Sequence, residues 1–349
     1  MTTPATPPPN ALQTAIRRIA SGDSLDATLA TEAFGTVMRG EGTAAQIAAL
    51  LIGLRVKGET AAEVTGAAQA LRAAMLRLPI ATSDDLVDTC GTGGGAVPTF
   101  NISTAAALLA AGIGVRIAKH GNRSFTTQCG SADVLEQLGI TLEAPVELAA
   151  RALDEAGITF MFAPAMHPAM RHVGPVRREL GIPTVMNIVG PLANPAGAAR
   201  QVVGVAERGR MPLLAGALAS LGSAHALVVH GEPGMDEISP LGTTHVAEVR
   251  DGAVREWTID PSDYGFRGLV ASDLAGGSPA DNARTIVDVL RGEGNPGATA
   301  AVVLNAAGAL YVSPGGRSFA ECVATAADGL ANGSGAVALD RMRRAYGRR

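Results

Sequence analysis

Short apolar runs that alternate with helical segments from residue 86 onward constrain the fold most strongly. Strands are predicted at 86–90, 115–118, 158–162, 201–205 and 226–229, with helical patterns at 101–111, 132–138 and about 209–221 between them. This β–α–β alternation is typical of a mainly parallel sheet covered by helices. Between residues 246 and 258, Asp251-Gly252 separates two further runs and predicts a hairpin. The segment from about 279 to 347 is predicted to be helical again.

The N-terminal part of the chain differs, because residues 11 to about 78 show only helical spacing. Thr43 with Gln46, and Thr60 with Glu63, each fit a capping box that precedes apolar residues three and four apart. We therefore predict an α/β fold class with three parts. These are a disordered Pro/Thr-rich tail at 1–10, a small all-helical N-terminal domain at 11–80, and a larger α/β domain with a mainly parallel central sheet at 81–349. The apolar faces of the helical domain need a partner, either the rest of the chain or a second subunit.

Composition and charge narrow the class of protein. The 349 residues are 47% hydrophobic and can bury a large core. The formal net charge of −4 argues against a nucleic-acid partner, which usually requires a basic surface. Cys90, Cys129 and Cys322 are far apart and odd in number, so they predict neither a disulfide framework nor a CxxC metal site. The N-terminus lacks the apolar core of a signal peptide, and no apolar run reaches the ~18 residues of a membrane span. We expect a cytoplasmic protein without a membrane partner.

A glycine-rich turn follows the first predicted strand and opens a helix; it reads DTCGTGGGAVPTFNIST at 88–104. Its GTGGGA segment matches the dinucleotide fingerprint G-x-G-x-x-A, but the next strand ends in Lys119-His120 where that fingerprint needs an acid. An NAD site is therefore disfavoured, and the P-loop pattern is missing from the sequence. The glycines instead predict a cradle of backbone N–H groups for phosphate, with Asn101, Ser103 and Thr104 at the helix start, where their side chains could cap it. An ordinary glycine turn with an N-cap is the alternative.

A cluster of polar and basic residues, KHGNRS at 119–124, follows the second predicted strand. The carboxyl ends of parallel strands share one edge of a sheet, and open α/β sheets bind ligands there. One loop would thus supply amides and the other cations, which together suit a ligand with several phosphates. A solvated basic turn is the alternative, and the agreement of the two loops in place and charge disfavours it.

Two further segments carry residues suited to ligand binding. Asp236 and Glu237 are adjacent carboxylates after the strand at 226–229, and Mg²⁺ binds through one or two carboxylates while keeping waters and substrate phosphates. Arg177, within the basic segment at 167–184, could bind a carboxylate with both arms of its guanidinium. The alternatives are a solvated acidic turn and a surface helix. Three histidines lack metal-ligand spacing and are predicted to be structural: His225, His230 and His245.

Taken together, these segments resemble the anthranilate phosphoribosyltransferase family from about residue 12 to the C-terminus. The stretches that carry the resemblance are GTGG…TFNIST at 91–104, KHGNRS…GSADVLEQLG at 119–139, HPAM…VRRELGIPT at 167–184, GPLANPA at 190–196 and MDEIS at 235–239. The resemblance implies a fold of the nucleoside phosphorylase/phosphoribosyltransferase type, with helices near 168–190 packed on the helical domain. It also implies a homodimer formed through the helical domains. The implied reaction joins the amine of anthranilate to phosphoribosyl pyrophosphate (PRPP) and releases pyrophosphate.

The resemblance also implies three sets of binding residues. PRPP would be bound by Gly91, Gly94, Gly95, Thr99, Asn101, Ile102, Ser103, Thr104, Lys119, His120, Gly121, Asn122, Arg123, Ser124, Phe125, Thr126, Thr127 and Ser131. Anthranilate would be bound by Gly91, Asn122 and Arg177, with Arg177 near its carboxylate. Mg²⁺, the implied cofactor, would be held by Ser103, Asp236 and Glu237. No residue is assigned as a catalytic acid or base, and His120 is a candidate proton acceptor.

The chain departs from the family pattern at two points. The family usually reads GTGGDG, and here Gly95 and Ala96 replace the acid and the glycine, which is expected to alter metal handling. Gln128 and Cys129 stand where the family often has Lys-Ser, which removes one cation beside the phosphates.

Two other classes of protein are alternatives. A pyrimidine nucleoside phosphorylase-like enzyme would share the architecture and the glycine loop, but would lack the arginine for a carboxylate. A non-enzymatic nucleic-acid-binding relative is disfavoured by the net charge of −4 and by the Asp236-Glu237 pair.

Overall fold

The computed structural model describes residues 10–124 and 128–347. All but the last residue of the tail predicted at 1–10 therefore lies outside the described residues. The chain divides into two compact units. The first contains the described residues up to Met75 together with His167–Ala193, and the second contains Leu76–Met166 and the chain from Asn194 onward.

The α-helices, in chain order, are α1 Ala11–Ala20, α2 Ala27–Met38, α3 Ala44–Lys57, α4 Ala61–Ala74, α5 Ile102–Gly112, α6 Ser131–Gln137, α7 Val146–Ala156, α8 Ala163–Met166, α9 Gly174–Leu180, α10 Met186–Val189, α11 Met211–Ser220, α12 Pro279–Leu290, α13 Pro296–Val312, α14 Phe319–Ala331 and α15 Ser334–Ala345. The strands are β1 Val87–Gly91, β2 Ile117–Gly121, β3 Ile158–Phe162, β4 Arg200–Gly204, β5 His225–Gly231, β6 Thr244–Arg250 and β7 Ala253–Ile259. No helix within 10–124 and 128–347 is both long enough and apolar enough to cross a bilayer.

The first unit is helical and contains α1–α4, α9 and α10. Helix α1 packs against α2 and α3, α2 packs against α4, and α9 packs against α3. Both predicted capping boxes are confirmed: Gln46 N donates to Thr43 Oγ1 at 3.3 Å, and Glu63 N donates to Thr60 Oγ1 at 3.3 Å. These caps satisfy N–H groups that have no partner within the helix, and the apolar spacing then places one face of each helix in the core.

The second unit contains a seven-stranded sheet in the order β3-β2-β1-β4-β5-β6-β7. Strands β1 to β5 are parallel, and β6 and β7 add an antiparallel hairpin. The hairpin turns at Asp251 and Gly252, which adopt φ angles of 51° and 76°. Positive φ at both positions matches the turn that Asp-Gly favours. The predicted parallel strands, the hairpin and the helical C-terminal segment are therefore confirmed.

The second strand differs from its prediction, since it runs on to Gly121 instead of ending at residue 118. Lys119 and His120 therefore lie on β2 and are buried, and they do not belong to a solvated turn. The reason is pairing along the whole of β3, where Lys119 lies opposite Phe160 and His120 lies opposite Met161.

The sheet topology places the crevice for a ligand. Strand β1 is flanked by β2 on one side and by β4 on the other, so the strand order reverses at β1. Open α/β sheets bind ligands beyond the carboxyl ends of the strands at such a point. The glycine-rich turn leaves β1 here, and β4 ends here at Gly204. Helix α5, which begins after the glycine-rich turn, packs against α13 and α15 and is buried along most of its length.

Candidate active site at the carboxyl edge of the sheet

The glycine-rich turn lies directly against the acidic segment. Gly93 N donates to Asp236 Oδ2 at 2.8 Å, and Ala96 N donates to Gly234 O at 2.7 Å. An added Cβ at Gly91 would lie 2.7 Å from Asp236 Oδ2. An added Cβ at Gly204 would lie only 1.7 Å from the backbone oxygen of Asp236. Glycine at both strand ends therefore allows the acidic segment to lie across the edge formed by β1 and β4.

The start of α5 joins the basic and acidic residues into one cluster. Ser103 N donates to Glu237 Oε1 at 3.1 Å, and Lys119 Nζ donates to Ser103 Oγ at 3.2 Å. Lys119 also donates to the backbone oxygen of Thr89 on β1. The structure thus brings Ser103 and Lys119 together, as predicted for two loops at neighbouring strand ends, and adds Glu237, which the resemblance had placed with Ser103. The N–H groups at a helix start favour negative charge, so this is a natural place for an anion.

The pKa values in this cluster reflect burial and like charge. Burial and the neighbouring charge of Asp236 raise the pKa of Glu237 to about 8. Burial also raises the pKa of Asp236. Burial lowers the pKa of Lys119, and the nearby negative charges of Asp88 and Glu237 partly offset this decrease. Two adjacent carboxylates that resist ionisation would be stabilised in their charged form by a bound cation.

The donor set at this point fits Mg²⁺. Nowhere in the described ranges do three or more His, Cys, Asp or Glu side chains form a group that could hold a metal ion. Two carboxylates and the Ser103 hydroxyl suit an ion that takes few protein ligands and completes its shell with waters and phosphate oxygens. Gly95 lies beside these ligands, because an added Cβ there would be 3.1 Å from Asp236 Oδ1. The acid that the family usually has at this position would bring a further carboxylate next to Asp236.

An aspartate on α6, Asp133, binds both ends of the segment that follows β2. Asp133 Oδ2 accepts hydrogen bonds from Ser124 N at 3.1 Å and from Gly130 N at 2.9 Å. The two ends of this segment pack closely together, since an added Cβ at Gly121 would lie 2.2 Å from Ser131 Oγ. The tip of the segment, with the predicted ligands Phe125, Thr126 and Thr127, lies outside the described residues.

Arg123 and Asn122 have partners of their own in this segment. The guanidinium of Arg123 pairs with Asp133 at 3.0 Å and with Glu136 at 2.5 Å, which raises its pKa. Asn122 Oδ1 accepts from Arg123 N at 2.7 Å, and the backbone oxygen of Asn122 accepts from Ser131 Oγ at 3.4 Å. The charge of Arg123 is therefore largely balanced by α6 in this structure.

Asn101 lies at the N-cap of α5, but the predicted side-chain cap is not formed. Its Oδ1 instead accepts from Asn282 Nδ2 at 2.9 Å and from Cys129 Sγ at 3.2 Å, while its Nδ2 donates to Cys129 O at 3.2 Å. Partners distant in sequence outcompete the local cap. Asn101 thereby joins the start of α5 to Cys129, which precedes α6, and to Asn282 on α12.

The remaining predicted PRPP ligands occupy different environments. Gly94 adopts a φ of 82° in an open turn, and Thr99 forms a bridge with Ala275. Ile102 and Thr104 are buried, and the Thr104 hydroxyl has no hydrogen-bond partner among the residues that the structure describes.

Three residues that the sequence analysis did not single out shape this site. Asp88, fully buried on β1, accepts from His120 N at 3.2 Å and so fixes the backbone beside Lys119. Asn305 on α13 accepts a hydrogen bond from Ile238 N, in the segment that carries Glu237. Gly204 packs directly against the backbone of Asp236. For Asp88 and Asn305 the available signal was a polar residue within an apolar run, as in LVDTC and VVLNAAGAL. Gly204 carried no such signal.

Arg177 belongs to the helical unit, and His225 and His230 have partners of their own. Arg177 is on α9 in the helical unit, where burial lowers its pKa. Within the described part of that unit, no side chain pairs with its guanidinium. His225 Nε2 lies 2.8 Å from Glu248 Oε1, and His230 Nδ1 lies 2.8 Å from Val205 O.

Comparison with known proteins identifies the family. The model "Glycosyl transferase family, a/b domain" matches residues 83–336, and "Glycosyl transferase family, helical bundle domain" matches residues 13–75. An anthranilate phosphoribosyltransferase of Rubrobacter xylanophilus is 49% identical over 333 residues, which cover 95% of this chain and 96% of the relative. The chain belongs to the anthranilate phosphoribosyltransferase family. The resemblance drawn from the sequence is thereby confirmed.

Solved structures of anthranilate phosphoribosyltransferases share the fold. The enzyme from Thermus thermophilus has a TM-score of 0.89 and 40% identity, covering 95% of this chain and 99% of its own. The Saccharomyces cerevisiae enzyme in complex with PRPP and Mg has a TM-score of 0.87 and 26% identity, covering 96% of this chain and 97% of its own. The predicted architecture of a helical domain and a larger, mainly parallel α/β domain agrees with both.

Proposed function

We propose that this chain is a Mg²⁺-dependent anthranilate phosphoribosyltransferase of tryptophan biosynthesis. It transfers the phosphoribosyl group of PRPP to the amine of anthranilate and releases pyrophosphate. One observation carries the proposal most directly: Asp236 accepts a hydrogen bond from Gly93 N, and Glu237 accepts one from Ser103 N at the start of α5. A helix start that favours an anion and two carboxylates suited to a divalent ion thus meet at one point, which is what a metal-bound diphosphate needs.

The residues of this cluster account for the chemistry at the leaving group. Bond cleavage at the anomeric carbon builds negative charge on pyrophosphate, and stabilising that charge is the main electrostatic task of the protein. We assign the N-terminus of α5 and the ammonium of Lys119 to this task, since both lie at the same edge of the sheet. Mg²⁺, held by Asp236, Glu237 and the Ser103 hydroxyl, supplies further neutralisation of phosphate charge when it is bound.

The acceptor substrate requires orientation more than activation. The aryl amine of anthranilate is neutral near pH 7, so it can attack without a strong general base, and positioning two substrates in line supplies much of the remaining acceleration. We assign Arg177 to the anthranilate carboxylate from its VRRELG motif, with Gly91 and Asn122 as further contacts. His120 is proposed to accept the proton that the amine loses.

We further propose that the enzyme is a homodimer formed through its helical domain. Helix α3 carries a second apolar stripe besides its buried face, formed by Ala45, Ala49, Ile52 and Val56, and Val56 is 81% exposed. Residues spaced by three and four lie on one side of a helix, so this stripe offers a continuous surface to a second copy.

Three free cysteines fit a reducing, cytoplasmic compartment.

The decisive assay follows anthranilate fluorescence after PRPP and Mg²⁺ are added. We expect fluorescence to fall as one pyrophosphate is released for each anthranilate consumed, and to stay constant when Mg²⁺ is chelated. Phosphorolysis of thymidine or uridine without consumption of anthranilate would instead favour a nucleoside phosphorylase. Salt-dependent DNA binding without any turnover would favour a non-enzymatic relative.

A further inference from the structure

We propose that Asn305 on α13 is a positioning residue for the Mg²⁺ carboxylates. It touches no substrate and acts through the backbone of Ile238, the residue that follows Glu237. This inference rests on the proposed function and assigns part of its metal handling to a helix distant in sequence, since the bond from Ile238 to Asn305 spans 67 residues.

The side chain of Asn305 binds both ends of the Ile238 residue. Ile238 N donates to Asn305 Oδ1 at 2.9 Å, and Asn305 Nδ2 donates to Ile238 O at 2.9 Å. The second hydrogen of the amide goes to Ala301 O, also at 2.9 Å. Asn305 is 3% exposed, and its donors and acceptor are thus all engaged. A primary amide matches a peptide group in this way, and an apolar side chain of the same size cannot.

Helix α13 also shapes the contact through a glycine one turn further on. An added Cβ at Gly308 would lie 2.7 Å from Ile238 Cδ1, so the Ile238 side chain lies close against the helix surface. On the other side of Ile238, Ser239 N donates to Thr244 Oγ1 at 2.9 Å. The backbone is therefore fixed immediately after Glu237 from both directions.

The contact has a consequence for the carboxylates. Asn305, Glu237, Thr89 and Ser103 line one small cavity at the carboxyl edge of the sheet. With Ile238 fixed, Glu237 is directed towards the helix start, where it accepts from Ser103 N. Without the amide of Asn305, two buried peptide groups lose their partners, and the segment that carries Glu237 is free to shift.

The test measures metal binding separately from turnover. Asn305→Ala should weaken binding of Mn²⁺ to the protein alone by about tenfold, because the segment that carries Glu237 loses both of its hydrogen bonds to α13. The free ion is measured by its electron paramagnetic resonance signal. The Mg²⁺ concentration for half-maximal turnover should rise by a similar factor, while KM for anthranilate changes less than twofold. Excess Mg²⁺ should restore much of the rate.

Two further variants separate positioning from mere stability. Tyr346→Phe removes a buried hydroxyl that pairs with Thr159 and Phe160 on β3, and should lower Tm without changing Mn²⁺ binding. Gly308→Ala crowds the Ile238 side chain, so it should weaken Mn²⁺ binding at least twofold in a protein that circular dichroism shows to be folded. Gly308→Ala also tests whether the position of Ile238 controls metal binding if Asn305→Ala fails to fold.

Mn²⁺ binding within twofold of wild type in Gly308→Ala and in any folded Asn305→Ala would overturn the inference. The wild-type controls keep this failure distinct from failure of the proposed function. If the wild type turns over anthranilate and the variants bind Mn²⁺ normally, only the role of Asn305 is wrong. If the wild type consumes no anthranilate, the proposed function is wrong, and the Mn²⁺ measurement still reports on Asn305.

Discussion

Replacing Gly204 by alanine adds a single Cβ atom, which should displace the acidic segment and lower kcat/KM. The new Cβ would lie 1.7 Å from the backbone oxygen of Asp236, whereas ordinary contact begins at 3.4 Å, so the acidic segment must withdraw by about 1.7 Å. Such a shift breaks the bonds from Gly93 N to Asp236 (2.8 Å) and from Ser103 N to Glu237 (3.1 Å). Hydrogen bonds to charged groups contribute about 1.5–3 kcal/mol each. Losing both costs about 3 kcal/mol or more, which is roughly a 100-fold loss in kcat/KM if they direct the carboxylates in the transition state.

The assay for this variant is the steady-state rate of anthranilate consumption at saturating PRPP and varied Mg²⁺. Overpacking should also lower the free energy of unfolding by about 1–3 kcal/mol, so Tm and circular dichroism must show that the variant is folded at the assay temperature. Gly209→Ala is the matched control, because its added Cβ meets no heavy atom within 4 Å. A folded Gly204→Ala variant with kcat/KM within threefold of wild type would refute the reasoning.

Three further predictions concern other parts of the molecule. Lys119→Met should raise KM for PRPP at least about tenfold and KM for anthranilate much less, because a charge-assisted bond to phosphate is lost; equal changes in initial-rate measurements would count against its role. Arg177→Ala should do the reverse and raise mainly KM for anthranilate, and a similar rise for both substrates would remove it from the carboxylate site. Burial lowers the pKa of His225 below its usual 6.5, so its contribution to stability is present above pH 6.5 and is lost as pH falls below that value. Thermal unfolding between pH 7 and 5 should therefore depend less on pH in His225→Gln, and an unchanged slope would contradict this assignment.

Elements set by local pattern were predictable from the sequence. The parallel strands, the hairpin at Asp251-Gly252 and the two capping boxes each depend on residues a few positions apart, and the structure confirms them. Parallel pairing of β1 with β2 also places the glycine-rich turn and the end of β2 on one edge of the sheet. At that edge Lys119 donates to Ser103 at the start of α5.

Features set by distant partners were not predictable in the same way. Lys and His at the end of a strand are typical of a polar loop, yet pairing with β3 extends β2 through them. Asn101 fits a helix cap, yet its side-chain oxygen accepts instead from Asn282, which is 181 residues further along the chain. The need for glycine at Gly204 and for an amide at Asn305 arises only when the acidic segment lies across the sheet edge. Gly204 does not differ locally from an ordinary strand end, and a polar residue in an apolar helix at Asn305 indicates a buried contact without identifying its partner.

Calorimetric titration of PRPP into the protein, with and without Mg²⁺, tests most directly whether donors and carboxylates at this edge form one binding site. We expect saturable binding of one PRPP per chain that requires Mg²⁺ and is lost or weakened at least tenfold in the double variant Asp236→Asn, Glu237→Gln. PRPP that binds the double variant as tightly as wild type at the same Mg²⁺ concentration would contradict the account.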